Sequence, residues 1–398
     1  MHATDLIHAN LGVACQSIHR TRFKALLTAT AAALGGQTTS VAGLGRASRR
    51  QITEKASIKQ MDRLVGNPRM HQEARTVYQA MAHWLLGQQE RPVILVDWSP
   101  VTVDERIHVL RASAPVGGQG RTLYQECHPQ AKYANRQVQE DFLKHLSGVL
   151  PAGVRPVIVT DAGFKKPWFR AVEALGWDWV GRARGLVQMT RPGEDTWLTT
   201  RELGGLLEEN QPTYLGAFAM TRYDSLVCPV YGLRKTLQGR IHANRSGQRA
   251  QSGKSRAHAA GQREPWVIAT SLPGGAKITD RVIALYSLRM QIEEDFRASK
   301  NEHYGLGVNR SRSRSAQRFD VLLLIAALAS FAAWLVGLAT EHEGRHRQYQ
   351  PNTAKRRVLS HFFLGLKVLQ RESVRISEDT LRHIRATIRA VFAAEIPA

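Results

Sequence analysis

Between residues 321 and 339 the chain is apolar at every position except Ser330. A helix of that composition has no face to give to water, so it either crosses a bilayer or fills the core of a large domain. The run is rich in alanine, stands alone, and follows Arg310, Arg312, Arg314 and Arg318. It reads as a core helix, and no membrane partner is expected. At 398 residues, 43% of them hydrophobic, the chain can bury more than one core, and its length suggests two or three domains.

Just upstream, residues 286–300 contain neither Gly nor Pro and read as one helix. At about 100° per residue, Tyr286, Arg289, Glu293 and Lys300 fall within roughly 60° of arc. One stripe therefore carries a phenol, a guanidinium, a carboxylate and an ammonium. Leu285, Leu288, Ile292 and Phe296 form an apolar stripe beside it that seats the helix on a core. An ordinary amphipathic helix with a salt-bridged rim shows the same pattern. The choice between the two rests on what the chain supplies elsewhere.

Two short apolar runs supply it. Val93-Ile94-Leu95-Val96-Asp97-Trp98 and Pro156-Val157-Ile158-Val159-Thr160-Asp161 both read as buried strands, with Asp97 and Asp161 at their ends. Residues 106–114 and 121–127 have strand character and are joined across a Gly-rich turn at 115–120. Helices are expected at 137–150 and 167–175 and a strand at 178–182. The order is three strands, helix, strand, helix, strand. A lone Asp at a strand end is commonly a turn or cap residue. Two of them, with Glu293 on a later helix, offer a hard cation such as Mg²⁺ oxygen ligands and leave positions for phosphate oxygens.

Charge points to the same partner. Lys and Arg number 55 against 33 Asp and Glu, a formal charge of +22, which favours a polyanion through counterion release. Cys15, Cys127 and Cys228 are far apart and include no CxxC pair, which indicates a reducing compartment and no zinc site. Residues 1–10 hold Asp5 and two histidines and do not read as a signal peptide, so a cytoplasmic location is expected. Residues 1–90 look wholly helical: a helix over 20–34 stopped by Gly35-Gly36, a cap at Thr39 or Ser40, and a last helix entered at Asn67-Pro68 that reaches Trp84. Arg46, Arg49, Arg50, Lys55, Lys59, Arg63 and Arg69 greatly outnumber acids there. A DNA-binding module is expected, and a solvated basic face is its plain alternative.

The order Asp97, Asp161, Glu293, with the signature spacing from Tyr286 through Arg289 and Glu293 to Lys300, resembles a known family. It is that of the DDE transposases of bacterial insertion sequences that carry the Tyr-Arg-Glu-Lys signature, the IS-four family. The strings Leu95-Val96-Asp97-Trp98-Ser99, Asp161-Ala162-Gly163-Phe164-Lys165 and Glu264-Pro265-Trp266-Val267-Ile268-Ala269-Thr270 are also similar to members that move by cut and paste. The resemblance covers nearly the whole chain and implies an α/β fold. A mixed-sheet RNase H-like catalytic core would be interrupted by a β-rich insertion, with an all-helical N-terminal DNA-binding domain and a helical C-terminus.

The spacing of the acids agrees: 161 − 97 = 64 residues separate the first two, and 293 − 161 = 132 separate the second from the third. The expected segments are 1–90 for DNA binding, 91–184 for the first part of the core and 185–280 for the insertion. Residues 281–340 then give the second part of the core, and 341–398 a helical region that pairs subunits. Within the insertion, 213–230 and 266–271 have strand texture. Residues 226–263 carry Arg234, Lys235, Arg240, Arg245, Arg249, Lys254, Arg256 and Arg263 with no acid, as expected of a loop that orders on DNA.

For chemistry, the resemblance implies that Asp97, Asp161 and Glu293 hold two Mg²⁺, with Mn²⁺ as a substitute. Tyr286, Arg289 and Lys300 would grip phosphates, and Trp266 would stack a flipped-out base, its alternative being a packed core aromatic. Arg46, Arg49, Arg50, Arg245 and Arg256 are further candidate DNA contacts, as are Lys165 and Lys166. The implied partner is double-stranded DNA, both the terminal inverted repeats and the target, bound by a homodimer at the nucleoid. Two C-terminal helices, over 355–370 and 378–394, the second capped by Ser377, would help pair subunits. Phe362, Phe363, Leu366 and Leu369 could face either the parent domain or a second copy. An RNase H-like nuclease that cuts without joining, and a DNA-binding relic, are the competing readings.

Overall fold

The computed structural model describes residues 3–48, 51–87, 89–236, 253, 264–371, 374 and 376–395. The helices of the first half are α1 Ala3–Leu11, α2 Arg20–Gly36, α3 Val41–Ala47, α4 Glu54–Val65, α5 Pro68–Leu86, α6 Arg136–Val149, α7 Lys166–Ala174 and α8 Thr200–Gly205. Those of the second half are α9 Thr279–Ser287, α10 Met290–Lys300, α11 Ala316–His342, α12 His361–Arg371 and α13 Glu378–Glu395. Two compact units result, Met1–Val154 with Met290–Glu395, and Arg155–Arg289.

In the first unit, β1 Val93–Pro100, β2 Ile107–Val116 and β3 Gln119–Pro129 form an antiparallel meander in the order β3-β2-β1. Gly117 and Gly118, at φ +59° and +85°, make the two-residue turn between β2 and β3, a backbone that other residues resist. α11 is the apolar run: its most hydrophobic 18-residue window is 89% buried, as a core helix requires. α12 comes very close to it. A Cβ on Gly337 would meet the His361 carbonyl oxygen at 1.8 Å, and one on Gly365 the Ala333 oxygen at 1.7 Å, so both positions need glycine. Phe362 and Leu366 are buried in this unit, which answers the question the sequence left open for them.

Two local expectations change, and the capping expectations hold. α2 runs through Gly35-Gly36 and ends with Gln37 in the left-handed region; Gly36 is there for packing, because a Cβ would lie 2.6 Å from that of Ala47. α12 starts at His361, six residues after the expected 355. Ser40, Asn67 and Ser377 do act as caps, accepting from the amides of Gly43, of Arg69 and Met70, and of Thr380.

The second unit has β4 Val157–Thr160, β5 Asp178–Ala183, β6 Gln188–Thr190, β7 Leu198–Thr199, β8 Thr213–Met220, β9 Leu226–Leu233 and β10 Trp266–Thr270. Their order is β4-β5-β10-β9-β8-β6-β7, with β4 and β5 parallel and the remaining pairs antiparallel. The strand texture over 213–230 is thus a hairpin, β8 and β9, and this segment extends the sheet outward from β5 through β10.

The helix expected over 286–300 is broken. The Leu288 amide closes the end of α9 on the carbonyls of Ala284, Leu285 and Tyr286, and α10 begins at Met290. No Gly or Pro marks the break, and the division between the units falls there, between Arg289 and Met290. The single four-residue stripe does not exist as a helix face. Tyr286 and Arg289 belong to one unit, Glu293 and Lys300 to the other.

Candidate active site

In the first unit, β1 continues to Pro100, so Asp97 lies within the strand rather than at its end. Its carboxylate accepts from the Trp98 amide at 2.8 Å, and it stands opposite Arg111 in the β1–β2 register. Ser99, two residues on, shares the face of Asp97. The Lys300 ammonium donates to the Ser99 hydroxyl. On α10, Lys300 follows Glu293 by seven residues, two turns, which puts both on one side of the helix. Burial, followed by the charge of Arg111, lowers the Lys300 pKa to about 8, against the opposing pull of Asp97.

The other side of α10 explains why this helix sits where it does. Asp295 Oδ2 accepts from Ser113 Oγ and Thr122 Oγ1, both at 2.8 Å, and lies 3.3 Å from the Arg111 guanidinium. Arg111 and Asp295 are only 1% and 3% exposed. Arg111 also donates to Gln125 Oε1 at 2.8 Å and lies over the Phe296 ring, 4.6 Å from its centre. A buried pair with this many partners ties α10 to β2 and β3 and sets the rotation that presents Glu293 and Lys300. Ser99, Arg111 and Asp295 escaped the sequence reading. The one available signal was Arg111, a lone arginine in a strand buried along its whole length.

In the second unit, Asp161 directly follows β4, as expected, and its Oδ1 accepts from the Gly163 amide at 2.8 Å. Tyr286, near the end of α9, is 4% exposed. Burial raises its pKa, the charges of Arg289 and Arg182 oppose this, and the charge of Asp161 adds to it. Arg182, on β5, donates to the carbonyls of Glu264 at 3.1 Å and Pro265 at 3.3 Å, the residues that lead into β10. Trp266 meets Tyr286 edge to face at 4.8 Å, and the Lys235 ammonium sits 3.8 Å from the centre of the Trp266 ring. Trp266 is half-buried, with a cation above it, which is not the setting of a sealed core aromatic.

Lys165 donates to the Ala162 carbonyl and Lys166 to the carbonyls of Tyr223 and Asp224, so both ammonium groups are used within this unit. Arg46 is exposed on α3 and paired with Glu54 at 2.9 Å. Arg49, Arg50, Arg245 and Arg256 lie outside the described residues. Among the described residues no group of three or more His, Cys, Asp or Glu is arranged to hold a metal ion. In kind, the donors suit a hard cation: Asp97 and Asp161 are carboxylates, each oriented by a backbone amide close by in sequence.

Two comparisons with known proteins bear on these residues. The model of the family described as transposase DDE domain matches residues 88–330, a span that holds Asp97, Asp161, Trp266 and all of 286–300. No curated protein matches the chain.

Proposed function

Because the chain belongs to the DDE transposase domain family, it is a transposase that acts on DNA, and we propose that it moves its element by cut and paste. Asp97, Asp161 and Glu293 would hold the two Mg²⁺. When bound, such cations acidify the attacking hydroxyl and neutralise the leaving oxygen of an in-line displacement. Water attacks phosphorus at the element end and the 3′ oxygen leaves. The freed 3′-hydroxyl attacks the opposite strand to form a hairpin, water reopens it, and the same hydroxyl joins the end to target DNA.

The chain's own residues hold the substrate still. Lys300 and Arg289 place positive charge against non-bridging phosphate oxygens, Tyr286 offers a hydroxyl, and Trp266 offers a ring for an unpaired base. Two copies, each on one element end, bring the ends together.

The observation that carries this reading is Lys300. A half-buried ammonium that donates to Ser99, two residues from Asp97, and lies two turns from Glu293 along α10 supports a phosphate contact at Lys300. The test is incubation of the purified chain with labelled DNA bearing the ends that flank its own gene, in Mg²⁺, beside Glu293→Ala. Cleaved, hairpinned and joined products are expected from the native chain, and none from the variant. Nicks without joining would support the nuclease reading, and binding without product from either chain the relic.

A further inference from the structure

The turn between β8 and β9, residues 221–225, carries the most exposed large apolar side chain of the described residues, Tyr223, at 89%. A hairpin tip is usually the loosest part of a sheet. This one is fastened from several sides. Lys166, at the start of α7, donates to the carbonyls of Tyr223 at 2.8 Å and Asp224 at 2.6 Å. Arg170, one turn further along α7, donates to the Asp224 carboxylate at 2.6 Å and to the Asp224 and Ser225 carbonyls at 3.2 and 3.4 Å. Arg222 donates to Gln188 at 2.8 Å and lies over the Trp197 ring, and the Thr221 amide donates to the Gln188 carbonyl.

The turn also holds two non-glycine residues in the left-handed region, Thr221 at φ +68° and Asp224 at φ +50°. Such conformations cost about 1 kcal/mol or more each and persist only where the surroundings enforce them. The backbone is thus strained and clamped while the tyrosine ring is left in solvent. α7 itself begins five residues after Asp161. The clamp therefore ties the exposed ring to the loop that carries an acid of the candidate site, within one unit.

We infer that this tip is a DNA-contacting finger in which the ring of Tyr223 stacks on a base of the strand held at Asp161. The inference rests on the transposase reading. A rigid aromatic on a cation-backed turn suits a nucleobase: the ring supplies stacking that any base can accept, and little side-chain entropy is lost on binding. Lys166, Arg170 and Arg222 lie behind it, with Asp224 the one acid in the turn, so an incoming phosphate backbone meets net positive charge.

The test uses the full chain and end DNA in which 2-aminopurine replaces one base at a time across the cleaved end. With the native protein, fluorescence should fall sharply at one position or two adjacent positions. Tyr223→Ala should lose that change and weaken end binding or cleavage by about tenfold, as expected for one lost stacking contact. Tyr223→Phe and Tyr223→Trp should restore both, which a merely structural role would not produce. Since Tyr223 is in solvent, the alanine variant should melt with the native chain. An unchanged 2-aminopurine profile and unchanged cleavage in Tyr223→Ala would overturn the inference while leaving the transposase reading intact. So would a change in sedimentation without DNA, which would make the tip a contact between copies. Failure of the native chain to bind end DNA would overturn the transposase reading, and the inference with it.

Discussion

The two units hold their candidate site residues in opposite ways. In the first, Glu293 and Lys300 stand on α10, which Arg111 and Asp295, two charges almost fully out of water, bolt to β2, the strand paired with the β1 of Asp97. In the second, Asp161 sits in a loop, and around it the aromatic and basic groups reach outward: Trp266 under Lys235, and Tyr223 on its clamped turn. The first arrangement fixes position, since charges in a low-dielectric interior cannot shift without losing partners. The second offers surface, which is what a polymer substrate needs. A transposase has to do both, and on the proposed reading the tasks are divided between units whose boundary in the chain lies between Arg289 and Met290.

If that contrast is real, damage to the bolt should cost far more than damage to any exposed pair. Asp295→Ala leaves Arg111 buried without its counter-charge, and a loss of about 3–5 kcal/mol is expected in urea unfolding. Replacing both partners together, Arg111→Met with Asp295→Leu, should recover much of it, because the desolvation penalty of both charges goes away. Recovery of stability without recovery of cleavage would show that the pair sets the position of α10 as well as holding it. A loss in Asp295→Ala no larger than that of a surface substitution would break the comparison.

A second, half-buried acid of the same unit sharpens it. Asp320, near the start of α11, accepts from the Cys127 amide at 2.7 Å, and burial raises its pKa from 3.8 to about 7. An acid raised in the folded state holds a proton that the unfolded chain releases, so its contribution is fully present below about pH 4 and is lost as pH rises to about 7. At about 1.4 kcal/mol per unit, the shift is worth at most about 4 kcal/mol. Asp320→Asn keeps an acceptor for Cys127 and removes the charge. It should be more stable than the native chain at pH 8, by about 1–4 kcal/mol, with the difference vanishing near pH 4. A pH-independent difference would mean that the cost of Asp320 is not electrostatic.

What the sequence made legible and what it hid follow from the same physics. The cores of β1 and β4 could be read because strands buried on both faces are continuous apolar runs, and the body of α11 because residues 321–339 leave no face for water. The β2–β3 turn could be read because Gly117-Gly118 is what its backbone requires. The break at Leu288 could not, since it has no Gly or Pro and arises where two units meet in the chain. Nor could the partners of Asp295: Ser113 is 182 residues away in sequence, and a local pattern holds no information about such a pair. Local clues could also mislead. Gly35-Gly36 looked like a stop after residue 34, whereas α2 takes in both and Gly36, its last residue, is needed for packing, and Lys166 looked free for phosphate while its ammonium is committed to a hairpin tip.

The smallest effect is expected at Arg46, and it tests the far end of the contrast. Arg46 and Glu54 are 64% and 60% exposed, so their ion pair is hydrated and screened. Arg46→Ala should therefore change stability by less than about 0.5 kcal/mol, whatever it does to function. DNA binding separates the two readings of the basic N-terminal face. If Arg46 touches a phosphate, the slope of log K against log salt should fall by about one in the variant, with affinity weakened to a similar degree on every sequence. If the face is only solvated, slope and affinity should match those of the native chain. The first result would extend the outward-reaching surface of the second unit to the helices of the first; the second would confine it to the second unit.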